Sequence, residues 1–218
     1  LIDDGQVSVT TEYEVGGSGN LRRWLQGTGH PIKVPVVDLS EVSAGGGSIA
    51  WVDDGGGLRV GPRSAGAAPG PACYGGGGQE PTVTDADVIL GYLNAQHLLG
   101  GELALSPDRA AEAIQRRVGG RLGLDTVGAA QGIVDIVNSS MANAIRMISV
   151  ERGYDPRSLT LVAFGGAGPV HAGRLAEELD IATVVIPPNP GVFSAVGLVS
   201  SDLKQDYVRT LFAPLDRD

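Results

Sequence analysis

Little in this chain suits an oxidising compartment or a bilayer. A single cysteine, Cys73, among 218 residues cannot close an internal disulfide, which fits a reducing environment. No stretch approaches the ~18 consecutive apolar residues of a spanning helix, and no basic segment with an apolar core opens the sequence, so the cytoplasm is the expected location. Positive charge is scarce. Sixteen Lys and Arg against 25 Asp and Glu give a formal net charge of −9, which argues against nucleic acid as a partner, because phosphates need a basic patch, and against anionic membranes. No Gly-x-x-x-x-Gly-Lys-Ser/Thr occurs, so the P-loop does not apply, and no internal repeat is apparent.

Glycine is what the chain has in excess: 34 residues, more than twice the ordinary share of about 7%. It marks turns. The most informative of them lies within LTLVAFGGAGPVHAGRLAEEL, residues 159–179. Leu159 to Phe164 is too short for a helix and rich in branched residues, so a buried strand is expected. Gly165, Gly166 and Gly168 permit a sharp turn and close backbone approach, and Pro169 suits the first turn of a helix in which Val170, Leu175 and Leu179 share a face. A strand, a glycine turn and a helix bring backbone amides to the mouth of a sheet, where a phosphate or the flat face of a base can lie. The same residues also suit a plain tight turn, and the spacing is not Gly-x-Gly-x-x-Gly, so pattern alone leaves both readings open.

The rest of the chain divides by composition into a β-rich, glycine-rich segment, 1–83, and an α/β segment, 84–218. LIDDGQVSVTTEYEVGG reads as a hairpin whose first strand is cut, so a piece of a longer chain is expected. Residues 16–29, with Arg22, Arg23 and Trp24, read as a surface loop or irregular turn, and His30 to Leu39 as a strand whose two prolines place it at an edge or at its start. Asp53-Asp54-Gly55-Gly56-Gly57 joins strands 48–52 and 58–60. Gly45-Gly46-Gly47 points to close approach of backbone to a ligand, a strand or a neighbour. Thr84 is a candidate N-cap with Asp85 and Asp87 in the first turn, Ser106 and Pro107 open a helix through Val118, and 126–152 is the longest amphipathic run, ended by Gly153. A second buried strand is expected over 183–186, a small-residue helix over 192–203 and a closing strand over 207–211.

Four stretches, AGGGSIAWVDDGGGLRVGPRSAGAAPGPACYG, PTVTDADVILGYL, LVAFGGAGPVHAGRLAEEL and NPGVFSAVGLVSSDLKQDYVRT, resemble in family order the hydantoinase A and 5-oxoprolinase family, which also includes acetone carboxylase β-subunits. The resemblance implies part of an actin-like ATPase fold, shared with sugar kinases and Hsp70. It implies ATP and Mg²⁺ as cofactors, a cyclic amide such as a hydantoin or 5-oxoproline as substrate, and a hydantoinase B-like subunit or domain as partner. Ketone carboxylation, or a non-catalytic ATP-gated module, are the alternatives. By the same resemblance Gly165, Gly166, Ala167 and Gly168 lie against the adenosine of ATP. Asp38, Asp85 and His171, with Cys73 nearby in the matched blocks, are candidates for an additional divalent metal, although Ser40 stands where relatives often carry His. The family's two Asp-x-Gly-Gly-Thr phosphate-binding hairpins are not among these 218 residues. The segment alone is therefore expected not to turn over, and no catalytic residue is assigned.

Overall fold

Asp4 and Gly5, with φ of 44° and 75°, turn Ile2–Asp3 (β1) back onto Gln6–Val7 (β2), the hairpin that Asp-Asp-Gly predicts. Val9–Thr10 (β3) and Tyr13–Val15 (β4) pair antiparallel with Val36–Val37 (β6) and His30–Ile32 (β5). The strand expected over 30–39 is thus two short pieces, in which Pro31 and Pro35 can donate nothing to a ladder. The computed structural model describes residues 1–11, 13–15, 30–32, 34–37, 39, 42–203, 205, 207 and 209. The loop expected at 16–29, Asp38, Ser40 and most of the closing strand lie outside them, while Tyr207 and Arg209 have no strand geometry. The chain forms two compact units: Ile2–Leu39 with Ser194–Asp218, and Ser40–Phe193 with Leu1.

The larger unit opens with the expected hairpin, Ser48–Val52 (β7) and Leu58–Ser64 (β8), antiparallel with a register shift between Ser48 and Ala50. Asp53 builds its turn by accepting from the Gly55 and Gly57 amides and from Arg59 Nε. The glycines ahead of β7 are used in packing. A Cβ at Gly46 would sit 2.7 Å from Thr84 Oγ1, and one at Gly47 2.8 Å from Ser64 Oγ. Thr84 is therefore not the cap expected from sequence. The cap of Val83–Ile89 (α1) is Thr82, two residues earlier, because Asp85 sits at the third helical position and closes a capping box with it. Thr84 instead donates through Oγ1 to the Gly46 carbonyl at 2.9 Å.

Ser106 and Pro107 start Pro107–Ile114 (α2) as expected. The helix then widens into a π turn over Gln115–Gly119 and ends in Gly120–Leu122 (α3). Asp125 caps Thr126–Val150 (α4), and Gly153, at φ 82°, follows it. Ala50 and Val52 of β7 share one core with Val83, Ile114, Val118, Ile133, Val134 and Val137, so the glycine-rich segment and the helices after it bury one another. A second core forms where Ala142 of α4 meets Leu175, Ala176, Leu179 and Ile181.

That second core carries the parallel pair Thr160–Val162 (β9) and Thr183–Val185 (β10), followed respectively by Gly168–Glu178 (α5) and Phe193–Val199 (α6). The register partners Leu161 and Val184 both pack on this core. Their neighbours face the other way: Val162 is 47% and Val185 42% exposed. The two strands expected to be buried are therefore half-buried, because helices cover one face of the pair and leave the alternate side chains outward. The helix expected over 192–203 is shorter, and its residues from Ser194 onward are exposed.

Candidate functional site

The glycine turn lies where the sequence places it, at the carboxyl end of β9. Its geometry is set by the parallel pair. Ala163 N–H donates to the Val185 carbonyl at 2.9 Å, and Gly165 N–H to the Pro190 carbonyl at 2.8 Å, so the loop after β10 is held against the turn. Gly165 has φ 86°, a conformation that a Cβ resists; Gly166 and Gly168 have no positive φ and are glycines for another reason. A Cβ at either would meet no atom within 4 Å, so both face open space. Helix α5 starts from Ala167 with no side-chain cap, which leaves its first amides without the hydroxyl or carboxylate that caps α1, α2 and α4. Beside the turn, Phe164, 45% exposed, stacks at a tilt on Phe193, with ring centroids 5.3 Å apart. Together these features offer uncapped amides, open backbone and an aromatic wall, which suits a flat base with an attached polar group.

Three residues beyond Gly168, His171 is almost wholly buried, at 1% exposure. Its Nδ1 lies 2.9 Å from Oδ1 of Asn138 on α4, and its Nε2 lies 3.8 Å from Oδ2 of Asp87 on α1, itself 2% exposed. Asp87 Oδ1 and His171 Nε2 have no hydrogen-bond partner. Burial pushes the Asp87 carboxyl up to about 7 and holds the imidazole below its ordinary range, so each group is driven toward its neutral form. A cleft of about 430 Å³, lined in part by Gln131, Asp135, Asn138, His171, Arg174 and Glu177, opens between α4 and α5.

The sequence places Asp87 in the first turn of a helix and says nothing of its burial; in the structure every residue from Val83 to Val88 is buried. Asn138 was visible as a polar interruption of the α4 stripe, between Val134, Val137 and Ala142. Nothing in the sequence joined it to Asp87.

Of the candidate metal residues, Asp85 and His171 have protein partners. Asp38 lies outside the described residues. Asp85 is fully buried, and its carboxylate is occupied by four donors: Cys73 N at 2.7 Å on Oδ1, and Ala72 N at 3.2 Å, Thr82 N at 2.8 Å and Thr82 Oγ1 at 2.8 Å on Oδ2. A carboxylate so saturated does not fit a metal ligand. His171 has different partners, and no group of three or more His, Cys, Asp or Glu side chains among the described residues could hold a metal ion. Burial, and then the neighbouring Asp85, push the Cys73 thiol well above its usual range, so it has no nucleophile's character. His30 and His97 are exposed. No helix among the described residues is long and apolar enough to cross a membrane.

An uncharacterized protein of Methanocaldococcus jannaschii is 50% identical over 208 residues, 95% of this chain and 30% of its own length. The caprolactamase subunit alpha of Pseudomonas jessenii is 45% identical over 99% of this chain and 31% of its own length. The chain thus spans about a third of the curated relatives it matches. A crystal structure of the ATP-dependent caprolactamase from Pseudomonas jessenii superposes with a TM-score of 0.73 at 49% identity, over 81% of this chain and 26% of that one. A nucleotide-free acetone carboxylase structure superposes at 0.79 and 29% identity, over 91% and 26%. The mixed α/β chain expected to carry part of an actin-like ATPase fold has that fold. The Hydantoinase/oxoprolinase profile matches residues 1–207, and the chain belongs to that family.

Proposed function

We propose that this chain is part of the ATP-using subunit of a cyclic-amide hydrolase, and that the turn Gly165-Gly166-Ala167-Gly168 holds the adenosine end of ATP. The observation that carries the reading is the uncapped start of α5 beneath open glycine backbone, at the carboxyl end of a parallel strand pair. Ligands of open α/β sheets bind at that end. Gly166 and Gly168 would lie under the base or ribose, where a side chain would intrude. Phe164 would supply apolar surface to one side, and the amides at the head of α5 would meet a polar edge.

ATP, when bound, would supply a phosphoryl group to the amide oxygen, which removes the resonance protecting the carbonyl carbon. Water can then attack that carbon, the C–N bond breaks to open the ring with the nitrogen leaving as the amine, and hydrolysis releases phosphate. Mg²⁺ would accompany the nucleotide through carboxylates other than those of this turn, which has none. The relatives named caprolactamase subunit alpha and acetone carboxylase beta subunit are components of assemblies, and a hydantoinase B-like subunit is the proposed partner here. Carboxylation of a ketone is the second reading, favoured by the extent of the acetone carboxylase superposition, which covers 91% of this chain.

Gly166→Val in the full-length protein tests the nucleotide site. No atom within 4 Å opposes the new Cβ and no positive φ strains it, so the fold should be unchanged while ATP binding is lost or its KM rises at least about tenfold. Normal ATP affinity in the folded variant would make the turn purely structural. Phosphate release across a panel of cyclic amides and ketones, with the partner subunit present and absent, separates hydrolase from carboxylase.

A further inference from the structure

Positive charge is scarce in this chain, yet Arg109, Arg116, Arg117 and Arg121 fall close together on one helical run. Arg109 lies in α2, Arg116 and Arg117 in the π turn and Arg121 in α3. In an unbroken α-helix, at about 100° per residue, Arg116 would lie about 20° round the axis from Arg109 but Arg121 about 120° away. A π turn, bonded i→i+5, holds more residues per turn and so swings Arg121 back toward Arg109 and Arg116. The result is two adjoining hollows of about 350 and 550 Å³ that share Gln79 and Arg116; Arg109 and Glu112 help to line the first, Arg117 and Arg121 the second. Three of the four head groups are pinned. Arg109 Nη1 donates to the Gly75 carbonyl at 3.3 Å, Arg116 Nη2 to that of Gln79 at 3.2 Å and Arg121 Nη1 to that of Val52 at 3.2 Å. Each bond uses one of a guanidinium's five N–H donors, so most of each fork is left over. Arg117 has no hydrogen bond or ion pair among the described residues. The acid beside them, Glu112, is 72% exposed and 3.6 Å from Arg116, and Glu80 is already held by Arg63. A cation in a helix's last turn complements its dipole, which accounts for the later arginines but not for Arg109 in the first turn.

We propose that this arginine strip is a docking surface for an extended acidic segment of a partner subunit. From Arg109 to Arg121 the run extends about 18 Å, at about 1.5 Å per residue. A lone phosphate or carboxylate spans a fraction of that length and engages one or two guanidinia. An extended chain covers it in about five or six residues at about 3.3 Å each, and its alternate side chains, about 7 Å apart, face one way. Carboxylates at every second position therefore meet successive arginines, and each can accept a pair of N–H bonds from one guanidinium. A guanidinium already fixed by a backbone carbonyl also loses less side-chain freedom when the segment binds. A nucleic acid strand would meet the same arginines, but the net charge of −9 repels a long polyanion beyond the strip, whereas a short acidic segment ends with it. That the segment belongs to a partner subunit rests on the assembly proposed above; the ligand chemistry of the strip does not.

The test uses the full-length protein and a fluorescein-labelled octapeptide of alternating Glu and Ser, read by anisotropy at about 50 mM salt. Octathymidylate and an octapeptide of alternating Lys and Ser are the comparison probes. Wild type should bind the Glu peptide more tightly than either, and raising the salt to about 300 mM should weaken that binding at least about fivefold. Arg117→Glu, which breaks no bond within the described chain, should weaken it about tenfold with Tm unchanged. Arg117→Lys, which keeps the charge and loses the fork, should weaken it about two- to threefold. No binding by wild type, equal binding by Arg117→Glu, or octathymidylate binding as tightly as the peptide would each overturn the proposal. Sedimentation of the full-length protein with its hydantoinase B-like subunit is the second arm: Arg117→Glu should raise the assembly Kd about tenfold, and an unchanged Kd would overturn the assignment to that partner. Should wild type not assemble with that subunit at all, the partner reading fails, and the peptide titration still decides what the strip binds.

Discussion

Removing the Asp85 carboxylate should be among the most destabilising single changes available to this protein. Asp85→Ala strands the amides of Ala72, Cys73 and Thr82 and the Thr82 hydroxyl, all of which now donate to it over 2.7 to 3.2 Å at a fully buried position. A buried donor left without a partner costs about 1–3 kcal/mol. Even at the low end, the three amides together give about 3 kcal/mol, and the Thr82 hydroxyl, which can rotate to another acceptor, adds little. The capping box of α1 goes with it, since Asp85 supplies one half. Release from burying the charge offsets part of this, and the breakage of comparable buried networks costs about 3–5 kcal/mol, so about 3–4 is expected. Against a total of about 5–15 kcal/mol that is a large share. For a chain of this size it should lower Tm by roughly 6–16 °C, at about 2–4 °C per kcal/mol. Asp85→Asn keeps the volume but turns an N–H₂ toward donors, and should fall between wild type and alanine. Thermal and urea melts of both variants, with exposed Asp108→Ala as the control for a charge lost from a helix's first turn, measure this. A drop of under about 2 °C in Asp85→Ala would refute the account, and a melt that responds to chelator in wild type but not in the variant would show the carboxylate serving a metal.

Asp87 makes stability depend on pH in an unusual direction. Its folded pKa, pushed up to about 7 by burial, lies above the ordinary 3.8, so its contribution is fully present below about 4 and is lost as pH rises through 7. Burial lowers the His171 pKa, which adds stability above 6.5 that is lost on acidification, the opposite sign. Asp87→Asn should remove the first limb alone, so that between pH 5 and 8 the variant gains on wild type by about 1 kcal/mol or more, read from paired melts; parallel curves would contradict it. Gly46→Ala puts a Cβ 2.7 Å from Thr84 Oγ1 and should cost about 1–3 kcal/mol by denaturant titration, whereas Gly168→Ala, in open space, should cost under about 1. Cys73 should resist a thiol reagent at pH 8 in the native protein and react once urea unfolds it, because burial and Asp85 keep the thiol protonated.

What the sequence determined by itself was mostly local. Asp4-Gly5 and Asp53 to Gly57 fix their hairpins because few residues reach those turn conformations or bond their own backbone. Ser106-Pro107 and Gly153 fix helix ends, and the apolar stripe fixes the buried face of α4. The glycine turn between β9 and α5 was legible for the same reason, and four matched stretches carried the family.

Tertiary structure decided what depends on residues far apart in the chain. Thr82 rather than Thr84 caps α1 because Asp85 gathers the 72–73 loop and Gly46 claims the Thr84 hydroxyl, 38 residues away. β9 and β10 read as buried because their runs are continuously apolar, yet burial also requires a second covering layer, which no strand encodes in its own residues. Asp87, Asn138 and His171 lie on three helices separated by 51 and 33 residues, and no local pattern joins them: Asp87 reads as a first-turn residue of its helix and His171 as a candidate metal residue of a matched stretch. Only the packing of those helices removes water from all three at once. That loss of water gives an acid, an amide and an imidazole chemistry that none of them has in solution.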